Sequence, residues 1–107
     1  MLGLVDSQLV RFEPVLEYQG GFRLDVTFDP DTMSGRVQLM TGLGPVEAGV
    51  VYHVMEEDPG LDVGLASSGP GNFIVRKGYG QVRFRAVLGN EHAVDATLVV
   101  ERKEEVA

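Results

Sequence analysis

Two runs of alternating apolar and polar residues near the C-terminus constrain the fold of this chain more than any other feature. The first run covers residues 80–88, the second covers 93–100, and the turn residues Gly89, Asn90 and Glu91 lie between them. In an extended chain, a period of two places every apolar side chain on one face. The two runs therefore predict a β-hairpin that is buried on one face and exposed on the other.

The register of this hairpin follows from keeping both apolar rows on the same face. A three-residue loop pairs Leu88 with His92 and places Arg85 opposite Asp95 on the solvent face. A slip of one residue would turn one apolar row into water, so the parity of the pairing is strongly specified. We expect the exposed Arg85–Asp95 ion pair to contribute less than about 1 kcal/mol to stability.

Shorter strand-like runs precede the hairpin, and each of them ends at Gly, Pro or Asp. The predicted strands are residues 7–12, 21–28, 35–40, 48–55, 61–66 and 73–76. Pro14 follows the first run and removes a backbone donor, which predicts an edge strand that bends and switches sheets. The run 48–55 is almost continuously apolar, which predicts a central strand that is covered on more than one side.

This strand content predicts the fold class. Seven or eight short strands in 107 residues are typical of an all-β, immunoglobulin-like antiparallel β-sandwich. The 17 Val and 14 Gly residues suit such strands and tight turns better than helices. We predict one domain over residues 1–107, with frayed termini at 1–6 and 101–107. A small barrel or a jelly roll has similar strand content and stays open as an alternative.

Composition excludes several classes of function. Nine Lys and Arg residues against 16 Asp and Glu residues give a net charge of -7, which argues against nucleic acid and anionic membrane surfaces as partners. The absence of cysteine excludes disulfides, thiolate catalysis and cysteine-bound metals. No apolar stretch approaches the roughly 20 residues of a membrane span. The N-terminus lacks the basic segment of a signal peptide, so we expect a virion or cytoplasmic assembly protein.

Few side chains are candidates for catalysis or metal binding. His53 and His92 lie apart from any cluster of metal ligands, so each is interpreted as an ordinary strand or turn residue. Two acidic groups offer oxygen ligands but lack the spacing of a twelve-residue calcium loop; they are Asp25, Asp29 and Asp31, and Glu56, Glu57, Asp58 and Asp62. Turn formation explains both groups, because Asp accepts local backbone hydrogen bonds and Pro presets φ. We predict a protein that is not an enzyme and has no catalytic, cofactor-binding or metal-binding residues, while a weak calcium site at the Asp-rich turns stays open.

The hairpin also carries a short motif. Gly80, Phe84 and Ala86 form a Gly-x-x-x-hydrophobic-x-Ala strand, and the valine-rich run 93–100 follows it. Together with the segments 61–69 and 73–78, these residues resemble the second half of bacterial immunoglobulin-like repeats of the Big type. The family's usual tryptophan is absent, since the chain contains none. The resemblance covers less than half of the chain, implies a non-catalytic module of cell-surface, secreted or phage structural proteins, and transfers no site residues.

These observations predict a structural or interaction module that docks onto a larger protein assembly or associates with itself. The resemblance implies a phage virion component, such as a head decoration or tail accessory protein, or an immunoglobulin-like domain of a surface protein. Docking is expected at an edge strand or at the Gly- and Pro-rich loops, which offer backbone groups and adaptable surface. The four methionines and the apolar residues Leu2, Leu4, Leu43 and Val46 are candidates for a docking patch, and the alternative that they are ordinary loop residues stays open.

A carbohydrate-binding β-sandwich is the alternative function. Such sites stack sugar rings on exposed aromatic side chains. The chain has no tryptophan, and its tyrosines are Tyr18, Tyr52 and Tyr79. The sequence therefore offers few aromatic residues for a sugar site, and protein docking is the preferred prediction.

Overall fold

A computed structural model describes residues 7–14, 21–56, 61–66, 69–90 and 92–103. These residues form nine strands: β1 (Ser7–Pro14), β2 (Arg23–Asp29), β3 (Ser34–Thr41), β4 (Gly44–Pro45), β5 (Val50–Glu56), β6 (Asp62–Leu65), β7 (Asn72–Lys77), β8 (Gly80–Leu88) and β9 (His92–Lys103). Without the two-residue β4, eight strands remain, as predicted. Over the described ranges, no helix is long and apolar enough to cross a membrane.

The strands form two antiparallel sheets. The first sheet has the order β1-β9-β8-β5, and the second has the order β2-β3-β7-β6, with β4 paired to β3. Without β1 and β4, the strands in chain order match the A to G strands of an immunoglobulin constant-type sandwich, with sheets A-B-E-D and C-F-G. The predicted immunoglobulin-like β-sandwich is therefore confirmed. β1 extends the first sheet beyond β9, so the chain changes sheets between β1 and β2.

The predicted register of the C-terminal hairpin is also confirmed. Leu88 pairs with His92 and Arg85 pairs with Asp95 in the β8–β9 ladder. The inner rows of both strands are buried; they consist of Val82, Phe84 and Ala86 on β8 and Val94, Ala96, Leu98 and Val100 on β9. The two-residue period thus places both rows in the core, as the sequence pattern requires.

A single hydrophobic cluster fills the space between the two sheets. Val37 and Leu39 of β3 are fully buried in it, opposite the inner row of β8. Phe73 of β7 contacts Phe84 of β8 with ring centroids 4.6 Å apart, and it stacks on Phe28 of β2 at 5.9 Å. Each fully buried aromatic or aliphatic side chain stabilises the fold by roughly 1.5–3 kcal/mol.

Gly35 leaves the space that Phe73 occupies. It pairs with Phe28 on one side and with Phe73 on the other. A Cβ atom at Gly35 would collide with the backbone oxygen of Thr27 and with the ring of Phe73. The missing side chain therefore allows the two aromatic rings to stack across β3.

The prediction that residues 48–55 form a central strand is wrong. β5 is the last strand of the first sheet and pairs with β8 alone among the described strands. Its inner residues Val50, Tyr52 and Val54 pack against the core, whereas Val51 is 56% exposed. The continuous hydrophobicity of this run therefore reflects an apolar outer face, and not burial on both faces.

The C-terminal strand is longer than expected. β9 continues to Lys103, and its residues Glu101 to Lys103 pair with Leu9 to Ser7 of β1. The fraying predicted for 101–107 thus does not begin at Glu101, because β1 supplies backbone partners there. Residues 1–6 and 104–107 lie outside the described residues.

We expect Gly35→Ala to reduce the free energy of unfolding by about 2–3 kcal/mol, because the added methyl group overpacks the contact between β3 and Phe73. Urea denaturation measures the loss. Gly42→Ala is the matched control, since nothing lies within 4 Å of a Cβ atom there; it should change stability by less than about 0.5 kcal/mol. Equal losses in the two variants would contradict the assigned role of Gly35.

Candidate interaction surface

The turns at one end of the sandwich carry the most exposed apolar side chain of the described residues. β3 ends there at Thr41, and β5 begins there at Val50, which pairs with Leu88 next to the β8–β9 turn. The rings of Phe22 and His92 lie 5.2 Å apart and mark the same end on β2 and β9. We call the surface formed by residues 42–49 and 89–90 the loop end.

Leu43 projects from the loop end into solvent. Its side chain is 102% exposed relative to a fully accessible leucine. It lies in the two-residue turn between Thr41 and Gly44, which pair with each other across β3 and β4. An apolar side chain in this position gains nothing from the core of its own chain, so the candidate docking role predicted for Leu43 is compatible with its placement.

The turn that carries Leu43 is fixed by hydrogen bonds of its own residues. The Thr41 hydroxyl donates to the Gly44 carbonyl at 3.0 Å and accepts from the Leu43 N–H at 3.1 Å. One turn further on, the Val46 N–H donates to the Leu39 carbonyl at 2.9 Å. Val46, the second predicted docking residue, packs against the core instead of projecting with Leu43. Leu2 and Leu4 lie outside the described residues.

Tyr52 of β5 forms a hydrogen bond to the second sheet close to the loop end. Its hydroxyl accepts a hydrogen bond from the Leu39 N–H at 3.1 Å, at a point on β3 between the start of β7, which pairs with Arg36, and the end of β4, which pairs with Met40. The neighbouring N–H of Val37 donates to the carbonyl of Gly71 at 2.8 Å. The Tyr52 hydroxyl therefore binds a backbone position that no described strand between β7 and β4 covers, and it connects β5 to β3 across the sandwich.

A recess of about 200 Å³ lies beside Tyr52. Its described lining residues are Arg36, Gln38, Val46, Glu47, Val50, Tyr52 and Pro70. They supply a guanidinium, an amide and a carboxylate, but no histidine and no serine or threonine hydroxyl for nucleophilic chemistry. The described lining residues of the recess can therefore accept a polar group.

The two histidines do not meet. His53 pairs with Arg85 and lies on the exposed outer face of β5. His92 is the first residue of β9 and packs its ring against Phe22 on the inner side. The two imidazoles therefore lie on opposite faces of the first sheet and do not form a joint site.

Asp25 and Asp29, two of the acidic residues considered for calcium, make other contacts. Asp25 accepts hydrogen bonds from Arg23 at 2.9 Å and 3.4 Å, and the Asp29 carboxylate accepts from the Asp31 N–H at 2.9 Å. Glu57 and Asp58 lie outside the described residues. Within the described ranges, no group of three or more His, Cys, Asp or Glu side chains is arranged to hold a metal ion.

Asp62 forms a two-point ion pair with Arg76. The guanidinium donates to both carboxylate oxygens, at 3.0 Å and 2.6 Å. This hydrogen bonding holds the pKa of Asp62 below its ordinary value. The guanidinium also lies over Gly64, where a Cβ atom would be too close to it. Sequence reasoning missed the pair, because it depends on a register shift between Asp62 and Val63 that no sequence pattern indicates.

The predicted Arg85–Asp95 pair is present on the outer face of the first sheet. Arg85 donates to both oxygens of Asp95, at 2.7 Å and 3.0 Å. These hydrogen bonds, followed by the charge of Asp95, raise the pKa of Arg85. The pair connects β8 to β9 on the face turned away from the core. It therefore stabilises the hairpin and is not part of the loop end.

The tyrosines provide little surface for sugar stacking. Tyr52 is half-buried and its hydroxyl is bound to β3. Tyr79 is 40% exposed and precedes β8. Tyr18 lies outside the described residues. The described aromatic residues therefore do not form a stacking platform of the kind that a carbohydrate site uses.

No protein-family model, no curated protein and no solved structure matches the chain. The fold and the loop end are therefore the features that bear on the function of this chain.

We expect Tyr52→Phe to reduce the free energy of unfolding by about 1 kcal/mol, because the Leu39 N–H loses its acceptor while the ring still packs. Chemical denaturation gives this loss. Amide hydrogen exchange at Leu39 should also become faster in the variant. An unchanged exchange rate would contradict the role of the hydroxyl.

The pKa of Asp62 is expected to rise toward its ordinary value of about 3.9 in Arg76→Gln. The native pair stabilises the fold above that unfolded-state value, and this contribution is lost as the pH falls through the lower folded pKa. NMR titration of the Asp62 side-chain carboxyl signal measures this pKa in the native chain and in Arg76→Gln. Arg36→Gln is the control, and a rise in this variant as well would contradict the specific effect of Arg76.

Proposed function

We propose that this chain is a non-catalytic immunoglobulin-like interaction module that docks onto a larger protein assembly through its loop end. The observation that carries this proposal is Leu43, a fully exposed leucine on a turn held by the hydroxyl of Thr41. Single exposed apolar residues are common on protein surfaces. The fixed turn distinguishes this leucine, because a rigid apolar projection binds a pocket without first losing conformational freedom.

The position of Leu43 in the fold supports the same proposal. Sandwich domains of this architecture commonly bind through the loops at one end, while the two sheets supply a rigid support. Leu43 lies in the β3–β4 turn, at the end of the sandwich that also carries the β8–β9 turn. Burial of one leucine side chain in a partner's pocket stabilises a complex by roughly 1.5–3 kcal/mol, which a multivalent assembly can multiply.

The setting that we propose is a phage virion, with the chain as a head decoration or tail accessory protein, or a surface protein that contains immunoglobulin-like domains. The resemblance of the β8–β9 hairpin to bacterial immunoglobulin-like repeats supports this setting. The net charge of -7 suits a protein that binds other proteins and not nucleic acid. Capsid, tail or surface-protein genes beside the gene for this chain would support the same setting.

The test is co-sedimentation of the purified chain with virions or cell envelopes prepared from its source. We expect Leu43→Thr to lower the bound fraction at least tenfold at limiting concentration, without a change in stability, because Leu43 has no contact with the core. Ile74→Thr is the matched control, since Ile74 is an exposed apolar residue on the outer face of β7. It should bind as the native chain does.

Three outcomes would contradict the proposal. The first is that the native chain co-sediments with none of the particles. The second is that Leu43→Thr and Ile74→Thr weaken binding equally. The third is that Leu43→Thr binds as the native chain does. Binding to a glycan array in the absence of particle binding would favour the alternative carbohydrate-binding function. Equal urea midpoints for both variants show that folding does not cause the difference.

A further inference from the structure

We propose that β5 pairs with β5 of a second copy of this chain across a two-fold axis at His53. The pairing joins the two first sheets into one continuous sheet of eight strands, four from each copy. It uses an edge of the sandwich and not the loop end, so it stands independently of the docking function proposed above.

The first argument is that β5 lacks most of the features that usually prevent edge pairing, since its acidic residue Glu56 stands at its end. β5 pairs with β8 over all seven of its residues without a register shift, and it contains neither proline nor lysine. Long, regular edges of this kind are templates for another strand, because they present a row of backbone donors and acceptors. β6 contacts β5 from the second sheet, but no described strand other than β8 pairs with β5.

The other edges of the two sheets carry such features. β1 ends at Pro14. β2 alternates charged residues with its buried ones and contacts β1 and β9 of the opposite sheet. β6 has four residues and a register shift between Asp62 and Val63. The contrast selects β5 as the edge suited to pairing, at the same place where variable-type immunoglobulin domains add strands.

The second argument is that the five central residues of β5, Val51 to Met55, keep the same order of apolar and polar residues when the sequence is reversed, while the end residues pair Val50 with Glu56. In an antiparallel pair centred on His53, Val51 lies opposite Met55 of the other copy, and Tyr52 lies opposite Val54 of the other copy. In an antiparallel pair of identical strands, the hydrogen-bond pattern requires the two-fold axis to pass through a pair of identical residues, and not between two residues. A centre at His53 pairs all seven residues, whereas a centre at Tyr52 or Val54 pairs five.

Val51 gains most from this pairing. It is 56% exposed on the outer face and lies at the edge of an apolar row with Val87 and Ala93. The side chain of Met55 from the other copy would cover it. A strand that covers Val51 needs an apolar residue on its outer face two positions from the axis. β5 of a second copy provides Met55 at this position.

Charge and size set the strength of the dimer. Each copy carries a net charge of -7, so the copies repel each other at long range. A seven-residue strand pair also buries less than the roughly 1,600 Å² of a standard interface. We therefore expect a reversible dimer with a dissociation constant on the order of micromolar or weaker.

Single-cysteine variants test the axis directly, because the native chain contains no cysteine. In His53→Cys the two thiols lie on residues opposite each other, with Cα atoms about 4.5–5.5 Å apart, which is within the range of a disulfide. In the matched control Val51→Cys the two Cα atoms lie about 14 Å apart, because the two Val51 positions are separated by four residues along the strand direction. Under mild oxidation, we expect His53→Cys to form covalent dimers at least tenfold faster than Val51→Cys.

Light scattering of the native chain provides a second measurement that needs no cysteine. The mean mass should rise toward that of a dimer with increasing concentration. Val51→Lys should stay monomeric, because a lysine on the edge opposes strand pairing, while Ala93→Lys on the same face of β9 should dimerise as the native chain does.

Four results would overturn the inference. The native chain stays monomeric up to concentrations on the order of 1 mM, or Val51→Lys dimerises normally, or neither cysteine variant crosslinks, or both crosslink at equal rates. None of these results bears on particle binding through Leu43. Conversely, loss of particle binding in Leu43→Thr with unchanged crosslinking of His53→Cys would show two separate surfaces.

Discussion

The contact between Phe73 and Phe84 joins the two sheets, and most other features of the structure depend on it. The ring centroids lie 4.6 Å apart in the middle of the core. Phe73 reaches this position because Gly35 has no side chain in its path. Phe84 is held there by a hairpin register that puts every second residue of β8 inside. With the sheets fixed at this contact, the strand ends align and the turns gather at the loop end.

The hairpin could be predicted from sequence because its information is local. A period of two and a turn determine which residues of β8 and β9 face inward. The position of β5 could not be predicted in the same way. An apolar run such as Val50 to Met55 fits a central strand and also an edge strand with an apolar outer face. Strand order decides between them, and it depends on contacts distant in sequence, such as that between Tyr52 and Leu39.

The candidate surface shows the same division. Leu43 could be recognised from sequence as an apolar residue among glycines, but its full exposure and its fixed turn could not. The hydrogen bonds of Thr41 require a particular backbone path, which the pairing of β3 with β4 creates. The Arg85–Asp95 pair was predictable because the hairpin register places the two residues opposite each other. Asp62 and Arg76 meet through an irregular ladder and were not.

The two proposed surfaces are compatible because they lie at different places on the sandwich. β5 starts at the loop end, so antiparallel pairing of two copies would point their Leu43 turns in opposite directions. Such a dimer cannot place both turns on one compact partner, but it can bridge two sites. One leucine contact is weak, and linking two of them raises the effective concentration of the second after the first has bound. Because the two turns would face away from each other, the proposed dimer would gain this advantage only from two sites that face each other, and not from neighbouring sites on one flat surface.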